Sequence, residues 1–229
     1  MIMEKRENLD VCQAIKNRKS IRAFLKKDVS DEILIEAVKI AQYAPSSANM
    51  QPWQIVFVKG QKKQELADQL LNAYDHKIPA NPDMSAYLDQ WIDPYKTRRF
   101  QIGMQLYQAL GIKKEDHERR NTQMRANFDG FGAPVFGFIH MNPEMELGSY
   151  YDCGGFVQSL ILALYTFGLD SCLQASVTDF QSIIKSYLNL PSSQKLLVAI
   201  AIGYGDYDHP VNSFRAPRAN LNEFFKIIK

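Results

Sequence analysis

Cysteine is scarce in this sequence: three residues, Cys12, Cys153 and Cys172, occur among 229. They are far apart and form no C-x-x-C pair, which argues against a disulfide framework and against a zinc site. The four histidines show no H-x-x-x-H spacing, and each is predicted to be a surface or loop residue. We therefore expect no bound metal and a reducing, cytoplasmic setting.

Excess charge and long apolar runs are also missing. The 27 basic and 25 acidic side chains leave a net charge of +2, too little to favour nucleic acid as a partner. The longest uncharged run, residues 153–169, is interrupted by Gln158, Ser159 and Thr166. It falls short of the ~20 apolar residues of a membrane span, so it is predicted to be a buried helix. The first ten residues carry charges of both signs, and we expect no secretory signal.

The glycines form no nucleotide-binding signature. Gly203-Tyr-Gly-Asp lacks the third glycine of a dinucleotide fingerprint, and Pro210 prevents a helix from following it. A P-loop and a G-x-S-x-G elbow are absent as well. The sequence therefore gives no indication of a pyrophosphate site.

What the chain does have is a basic cluster near its start. Arg18, Lys19 and Arg22 flank Ser20 on a short segment with little room for a core. Arginine presents a planar fork of donors that matches phosphate oxygens, and the serine adds a hydroxyl and an N–H. The cluster predicts a phosphate site, although such charge runs are also typical of a solvated face.

A polar loop follows one amphipathic helix later. Ser30 is a plausible N-cap for that helix, and Pro45 ends it. Small polar side chains come next, before the strand predicted over residues 54–59: Ser46, Ser47, Asn49 and Gln51. This loop suits a planar polar ring, while the alternative is an ordinary helix-to-strand turn.

Together these patterns identify a family. The succession R-x-S-x-R, then P-S-S-x-N-x-Q-P-W and a strand, resembles the nitroreductase family of FMN-dependent oxidoreductases. Residues 125–135, the helix from about Asp152 to Gly168, and Gly203-Tyr-Gly-Asp with Arg218 resemble it too. The resemblance covers nearly the whole chain and is nearest to members similar to nitrobenzoate reductases.

The resemblance implies a fold and an assembly. The expected fold class is α+β, a sandwich with a mainly antiparallel central sheet enclosed by helices. Two chains are expected to form an intertwined homodimer, with FMN at the interface. The tail, residues 220–229, must pack on something, because Leu221, Phe224, Phe225 and Ile228 are too much apolar surface to leave in water. The resemblance implies that this tail reaches across the dimer.

The resemblance also implies roles for single residues. Residues matching the family's phosphate and ribityl contacts in one subunit are Arg18, Lys19, Ser20 and Arg22, with Arg218 on the phosphate. Residues matching the cofactor loop of the other subunit are Pro45, Ser46, Ser47 and Asn49.

The remaining matches lie around the flavin ring. Asn127 corresponds to an asparagine on the pyrimidine edge of the ring. The backbone amides of Ala175 and Ser176 correspond to donors near flavin N5. No side chain is therefore expected to act as a catalytic acid or base. Two positions depart from the family: Ala175 replaces a common glutamate, and Ala216 replaces a lysine whose charge Arg215 is a candidate to supply.

One domain, residues 1–229, is expected from the length, with a helical insertion at about 75–126. Long insertions between core strands are often lids, and Trp91, Tyr95, Phe100 and Tyr107 would give this one aromatic faces. The alternative is that these rings pack the insertion onto the body.

The expected activity follows from the family. Hydride would pass from NADH or NADPH to FMN, and nitroaromatic or quinone acceptors would be reduced in a second, ping-pong step. Alternatives are a dehalogenase-like or flavin-fragmenting enzyme of the same fold and, in another class, a non-catalytic flavin-binding or interaction protein.

Overall fold

The computed structural model describes Arg6 and residues 9–229. Strands occupy β1 Gln54–Lys59, β2 Val135–Met141, β3 Asp170–Gln174 and β4 Lys195–Gly203. The α-helices of this part of the chain are α1 Val11–Asn17, α2 Asp31–Ala41, α3 Gly60–Asp75, α4 Tyr95–Ala109, α5 His117–Arg125, α6 Leu147–Thr166 and α7 Gln181–Tyr187. Short 3₁₀ helices occupy Ser47–Asn49, Ala126–Gly132, Ser176–Phe180, Pro210–Asn212 and Leu221–Glu223.

The strands form one antiparallel sheet in the order β1-β2-β4-β3. The outer edge of β3 is extended by a parallel bridge between Ser20 and Ser171. Helices cover both faces of the sheet, and β2 is buried at every position. The predicted α+β architecture is therefore confirmed.

Two apolar layers hold the helices on the sheet. On one face, α2 and α6 bury residues such as Leu34 and Leu160 against Ile200. On the other face, α3 and α7 pack residues such as Leu66 and Ile184 against β2 and β4. Successive side chains of a strand point to opposite faces of the sheet, so each strand can contribute residues to both layers.

The buried helix predicted from residues 153–169 is α6, which begins at Leu147. Its start precedes the predicted start near Asp152 by a full turn. Leu169 N donates to Leu164 O at 3.0 Å, and Gly168 adopts φ 80° directly after the helix, as expected for a glycine stop. No helix among the described residues is long and apolar enough to cross a membrane.

Glycines 203 and 205 serve packing. A Cβ on Gly203 would lie 2.6 Å from Pro134 Cδ, and one on Gly205 would lie 2.7 Å from Asp170 Oδ2. Both positions therefore require glycine for close approach. This accounts for the Gly-Tyr-Gly pattern without a nucleotide.

Two local predictions are wrong. The spacing of Thr178 and Gln181 in the sequence predicts a capping box, but Thr178 Oγ1 donates to Ala175 O at 2.8 Å and helix α7 begins only at Gln181. His140 is not a surface residue: it lies in β2, 4% exposed, with Nδ1 3.1 Å from Gln194 Oε1. A local hydrogen bond and a strand position, respectively, overrode the sequence pattern.

Ion pairs connect the insertion at about 75–126 to the body of the protein. Arg125 binds Asp75 through Nε and Nη2, at 2.8 and 2.7 Å, which joins the end of α5 to the end of α3. Further along, Asp83 is bound by the buried Lys185 at 2.7 Å. Helix α4 buries none of its residues, and Phe100 is 66% exposed. The insertion is thus anchored to the body while α4 presents open apolar surface.

The apolar side chains of the C-terminal tail remain exposed within the described part of the chain. Phe224 is 70% exposed and Ile228 is 95% exposed. An ion pair between Glu223 and Arg98, at 2.7 Å, connects the tail to α4. The apolar tail therefore remains available for another surface.

Candidate functional site

The basic segment lies along the outer edge of β3. Ile21 N donates to Ser171 O at 3.1 Å, which fixes the neighbouring Ser20 beside the strand. The Ser20 hydroxyl hydrogen-bonds the Cys172 thiol, and the charges of Arg18 and Arg22 act on the same thiol. Cys172 belongs to the buried cluster that includes Phe131 and Ala201. The predicted phosphate residues thus meet one face of β3.

Three arginines form the electropositive centre of this edge. Burial lowers the pKa of Arg18, and the charges of Arg218 and then Arg215 lower it further. Arg18 Nε is buried and has no hydrogen-bond partner among the described residues. A buried donor amid like charges is what a phosphate dianion would satisfy, because it supplies both the acceptor oxygens and the opposite charge. The residues present therefore fit a phosphate group.

Arg215 has a structural role that the sequence pattern did not reveal. Its guanidinium donates to the carbonyl oxygens of Lys16, Asn17 and Arg18, the last at 3.3 Å. Arg215 therefore holds the backbone segment that carries Arg18 and adds a positive charge near it. Arg218 donates to the carbonyls of Ala216 and Pro217, at 2.9 and 3.2 Å.

Asn212 is a second organising residue that the sequence analysis missed. Its Oδ1 accepts from Arg22 N at 2.8 Å, and its Nδ2 donates to Ala23 O at 2.9 Å. Its carbonyl accepts from Lys19 Nζ, which also lies 5.5 Å from the Tyr207 ring centroid. Lys19 is thus directed towards residues 207–212. Only the fold, which brings Pro210–Asn212 back to the basic segment, could reveal this contact.

The predicted flavin-ring residues lie at the opposite end of β3. Ala175 and Ser176 directly follow the strand, about 13 Å from Ser171 at ~3.3 Å per residue. Asn127 lies beside them, because its carbonyl accepts from Gln174 Nε2 at 2.6 Å. The Asn127 side chain donates to Met124 O at 2.9 Å. The phosphate and ring candidates are therefore aligned along a single strand.

The loop after α2 has an unusual backbone. Ala48, Asn49 and Gln51 adopt positive φ of 49°, 57° and 48°, a conformation that asparagine tolerates better than most residues. Ser46 Oγ accepts from Gln51 N at 3.0 Å, and Pro45 before it is exposed. Ser47 N donates to Asp152 Oδ2 at 3.2 Å. The loop is therefore built from local hydrogen bonds and one contact with α6.

Within one chain, this loop does not reach the other candidates. It precedes β1, while Ala175 follows β3, and these strands are the two edges of the sheet, about 14 Å apart. Arg18 acts electrostatically on Tyr165, whereas the loop contacts Asp152, about 20 Å away along α6. The structure thus brings together two of the three predicted groups.

A large groove borders the basic edge. Its volume is about 1170 Å³, and Arg22 and Phe214 line the side towards the body. The apolar lining comes mainly from the insertion: Phe100, Ile102, Met104, Leu106, Tyr107, Ile112 and Met124. Cationic side chains also line it: Lys96, Arg99, Lys113, Lys114 and Arg120. The groove suits a flat apolar molecule that carries negative charge or polarity.

Comparison with known proteins assigns the family. The model of the nitroreductase family matches residues 15–204 of this chain. The chain belongs to the nitroreductase family. As a nitroreductase-family member it is 35% identical over 215 residues to the 4-nitrobenzoate reductase of Pseudomonas putida, with 94% of each chain covered. The family resemblance inferred from the sequence motifs is confirmed.

Solved structures agree with this nitroreductase assignment. The FMN and NADPH-dependent nitroreductase NfnB from sphigopyxis sp. strain HMH superposes with a TM-score of 0.93 at 34% identity, covering 96% of this chain and all of the other. The FMN-dependent nitroreductase NfnB from Mycobacterium smegmatis, in complex with NADPH, gives 0.90 at 29% identity, with 96% and 100% coverage.

Proposed function

We propose that this protein is a homodimeric FMN-dependent oxidoreductase that uses NADPH or NADH to reduce nitroaromatic or quinone acceptors by a ping-pong mechanism. The observation that carries the proposal is the arginine cluster at the edge of β3, where buried Arg18 Nε lacks a partner within the described chain. The names of the relatives support the cofactor and the electron donor.

The phosphate end of FMN would be held by Arg18, Ser20, Arg22 and Arg218, with Lys19 adding charge. A phosphate carries nearly two negative charges, so several arginines around it are favourable rather than repulsive. The absence of a glycine-rich pyrophosphate turn favours FMN over FAD.

The ring end would be held by Asn127 and by the backbone amides of Ala175 and Ser176. When bound, FMN supplies the redox chemistry, accepting a hydride at N5 and passing two electrons to the acceptor. The chain orients the ring and offers N–H donors next to the reacting position. Thr178 N and Oγ1 both donate to Ala175 O, at 3.0 and 2.8 Å, which fixes this turn.

The site requires a second copy of the chain. The loop of Pro45, Ser46, Ser47 and Asn49 precedes β1, at the opposite edge of the sheet from β3, and contacts Asp152, about 20 Å along α6 from Tyr165, on which Arg18 acts. A twofold-related chain would present its own loop to this flavin site. The exposed apolar tail is the segment we expect to cover part of the partner.

We assign the binding site of the electron acceptor to the groove beneath α4. The chain is proposed to be a single domain, with the insertion at about 75–126 acting as a lid over this groove. The apolar lining suits a planar ring, and its cations suit nitro or carboxylate oxygens. The anchors at Arg125 and Lys185 fix the base of this lid.

An absorption spectrum followed by an anaerobic titration tests the proposal. The purified protein, supplied with FMN if colourless, should show a flavin spectrum that NADPH or NADH bleaches. Adding 4-nitrobenzoate or a quinone should restore the colour. A non-catalytic flavin-binding protein would stay oxidised, and release of FAD on denaturation would contradict the cofactor assignment.

A further inference from the structure

Gln174 carries a buried oxygen without a partner. The residue ends β3 and is 2% exposed. Its Nε2 donates to Asn127 O at 2.6 Å, but its Oε1 accepts no hydrogen bond from the described residues. Buried side-chain oxygens are nearly always paired, so this one is available to a donor from outside the described residues.

The orientation of the amide is determined by its neighbour. The oxygen and nitrogen of a glutamine side chain are often interchangeable, but a backbone carbonyl only accepts hydrogen bonds. Turning the amide over would place Oε1 against Asn127 O, two acceptors at 2.6 Å. Gln174 must therefore present Nε2 to Asn127 and leave Oε1 as the acceptor.

The position of this acceptor selects the donor. Gln174 directly precedes Ala175 and lies on the same face of β3 as Cys172, which Ser20 contacts. It thus lies between the proposed phosphate and N5 contacts, beside Asn127. An oxidised isoalloxazine ring has a single N–H, at N3 on its pyrimidine edge. We propose that Gln174 Oε1 accepts a hydrogen bond from flavin N3–H and so positions the ring; this inference rests on the proposed function.

Flavin analogues test the inference through binding rather than turnover. Apoprotein is titrated with FMN and with N3-methyl-FMN, which lacks the donor, and quenching of flavin fluorescence reports affinity. The wild-type protein should bind N3-methyl-FMN about tenfold more weakly, the loss expected for one buried hydrogen bond. Gln174→Met should bind FMN about tenfold more weakly and distinguish the two flavins by less than about twofold.

Two further variants separate the acceptor from general effects. In Gln174→Glu, burial and the facing Asn127 carbonyl favour the neutral acid, whose O–H can donate to Asn127 O while its other oxygen stays an acceptor, so this variant should keep the preference for FMN. Gln181→Met is the matched control, because Gln181 Oε1 is also buried and unpartnered among the described residues but lies outside the proposed site. It should bind both flavins as the wild type does.

The outcomes distinguish this inference from the proposed function. If wild-type protein binds both flavins equally, or if Gln174→Met discriminates as strongly as wild type, Gln174 is not the N3 acceptor. If Gln174→Met does not fold, the preference for FMN over N3-methyl-FMN is compared between the wild type and Gln174→Glu. Loss of this preference in Gln174→Glu, or its absence in the wild type, would contradict the inference. If no flavin binds at all, the proposed function itself is overturned, and this inference with it.

Discussion

Arg215 donates to the backbone carbonyl of Arg18 at 3.3 Å and so ties a second guanidinium to the segment that carries Arg18 at the edge of β3. Burial lowers the pKa of Arg18, and the charges of Arg218 and then Arg215 lower it further. Like charges that act on one another are mutually unfavourable, and a dianion bound among them would reverse the sign of that interaction. The edge is therefore suited to an anion, in addition to the role of Arg215 in holding the backbone of residues 16–18.

Replacing Arg18 should release the cofactor. Charge-assisted hydrogen bonds to phosphate contribute roughly 1.5–3 kcal/mol each, so Arg18→Gln should weaken FMN affinity by about tenfold or more. Excess FMN should restore turnover. Fluorescence titration of apoprotein measures the effect, and Lys26→Gln, an exposed charge outside the cluster, serves as the control. Unchanged affinity in Arg18→Gln would remove Arg18 from the phosphate site.

The helices and strands were largely predictable because they depend on local patterns. The strand at residues 54–59, the continuous apolar run at 196–202 that forms most of β4, and the apolar circumference of α6 are properties of adjacent residues. Asn212 and Gln174 were not predictable as site residues, and for Arg215 only its charge was predicted, not its contact with the Arg18 carbonyl. Their contacts with Arg22, Arg18 and Asn127 join positions far apart in the chain. Such contacts are set by tertiary packing and have no periodicity.

The other candidate site residues were predicted from the family motifs. The fold shows which of these residues lie close to one another within one chain. The basic segment and the turn at Ala175 converge on β3, as a common ligand requires. The loop at Ser47 does not converge with them in one chain. The sequence does not give the distance between the Ser47 loop of one subunit and the β3 edge of the other, so a site shared by two subunits remains a prediction.

Deleting the tail should weaken the dimer. Phe224, Phe225 and Ile228 are at least half exposed in the single chain, and each contributes ~1.5–3 kcal/mol when fully buried. A chain ending at residue 219 should dissociate at higher protein concentration and retain less FMN. Sedimentation velocity over a dilution series measures this. Lys226→Ala with Lys229→Ala should leave the dimer intact, and a monomeric, FMN-replete wild type would exclude the shared site.

The three thiols should differ in reactivity. Burial, and then the charge of Asp152, raise the pKa of Cys153 to about 11, and burial also raises the pKa of Cys172. At pH 8 about one Cys153 in a thousand is a thiolate, whereas Cys12 is exposed. A chromogenic disulfide should therefore label one thiol quickly in the folded protein and all three in guanidinium. Cys12→Ser should remove the fast phase; rapid labelling that persists in this variant would contradict the burial of the other two.

The same shift predicts a trend in stability at alkaline pH. A thiol whose pKa is higher in the folded state keeps its proton after the unfolded chain has lost it, so its contribution is complete below the unfolded pKa. That contribution is lost as pH rises through about 11. The free energy of unfolding, measured by urea between pH 8 and pH 10.5, should fall less steeply in Cys153→Ala than in wild type. Parallel slopes would contradict the assignment.

Catalysis should depend on the backbone at the turn after β3. Neither Ala175 nor Ser176 offers a strong acid or base, and a hydride transfer at N5 requires only a close approach and an N–H donor. Ser176→Ala should therefore keep most of the turnover per bound FMN. Thr178→Val, by contrast, removes the Oγ1–H that donates to Ala175 O at 2.8 Å and should slow flavin reduction several-fold by loosening the turn.

Stopped-flow absorbance during anaerobic reduction by NADPH separates these two variants, because it reports the rate for protein that already holds FMN. Matching flavin occupancy beforehand removes differences in affinity. If Ser176→Ala abolishes reduction while FMN stays bound, the hydroxyl performs a step that we assign to the backbone. If Thr178→Val reduces FMN at the wild-type rate, the geometry of this turn does not limit hydride transfer, and the donor near N5 must be sought elsewhere in the dimer.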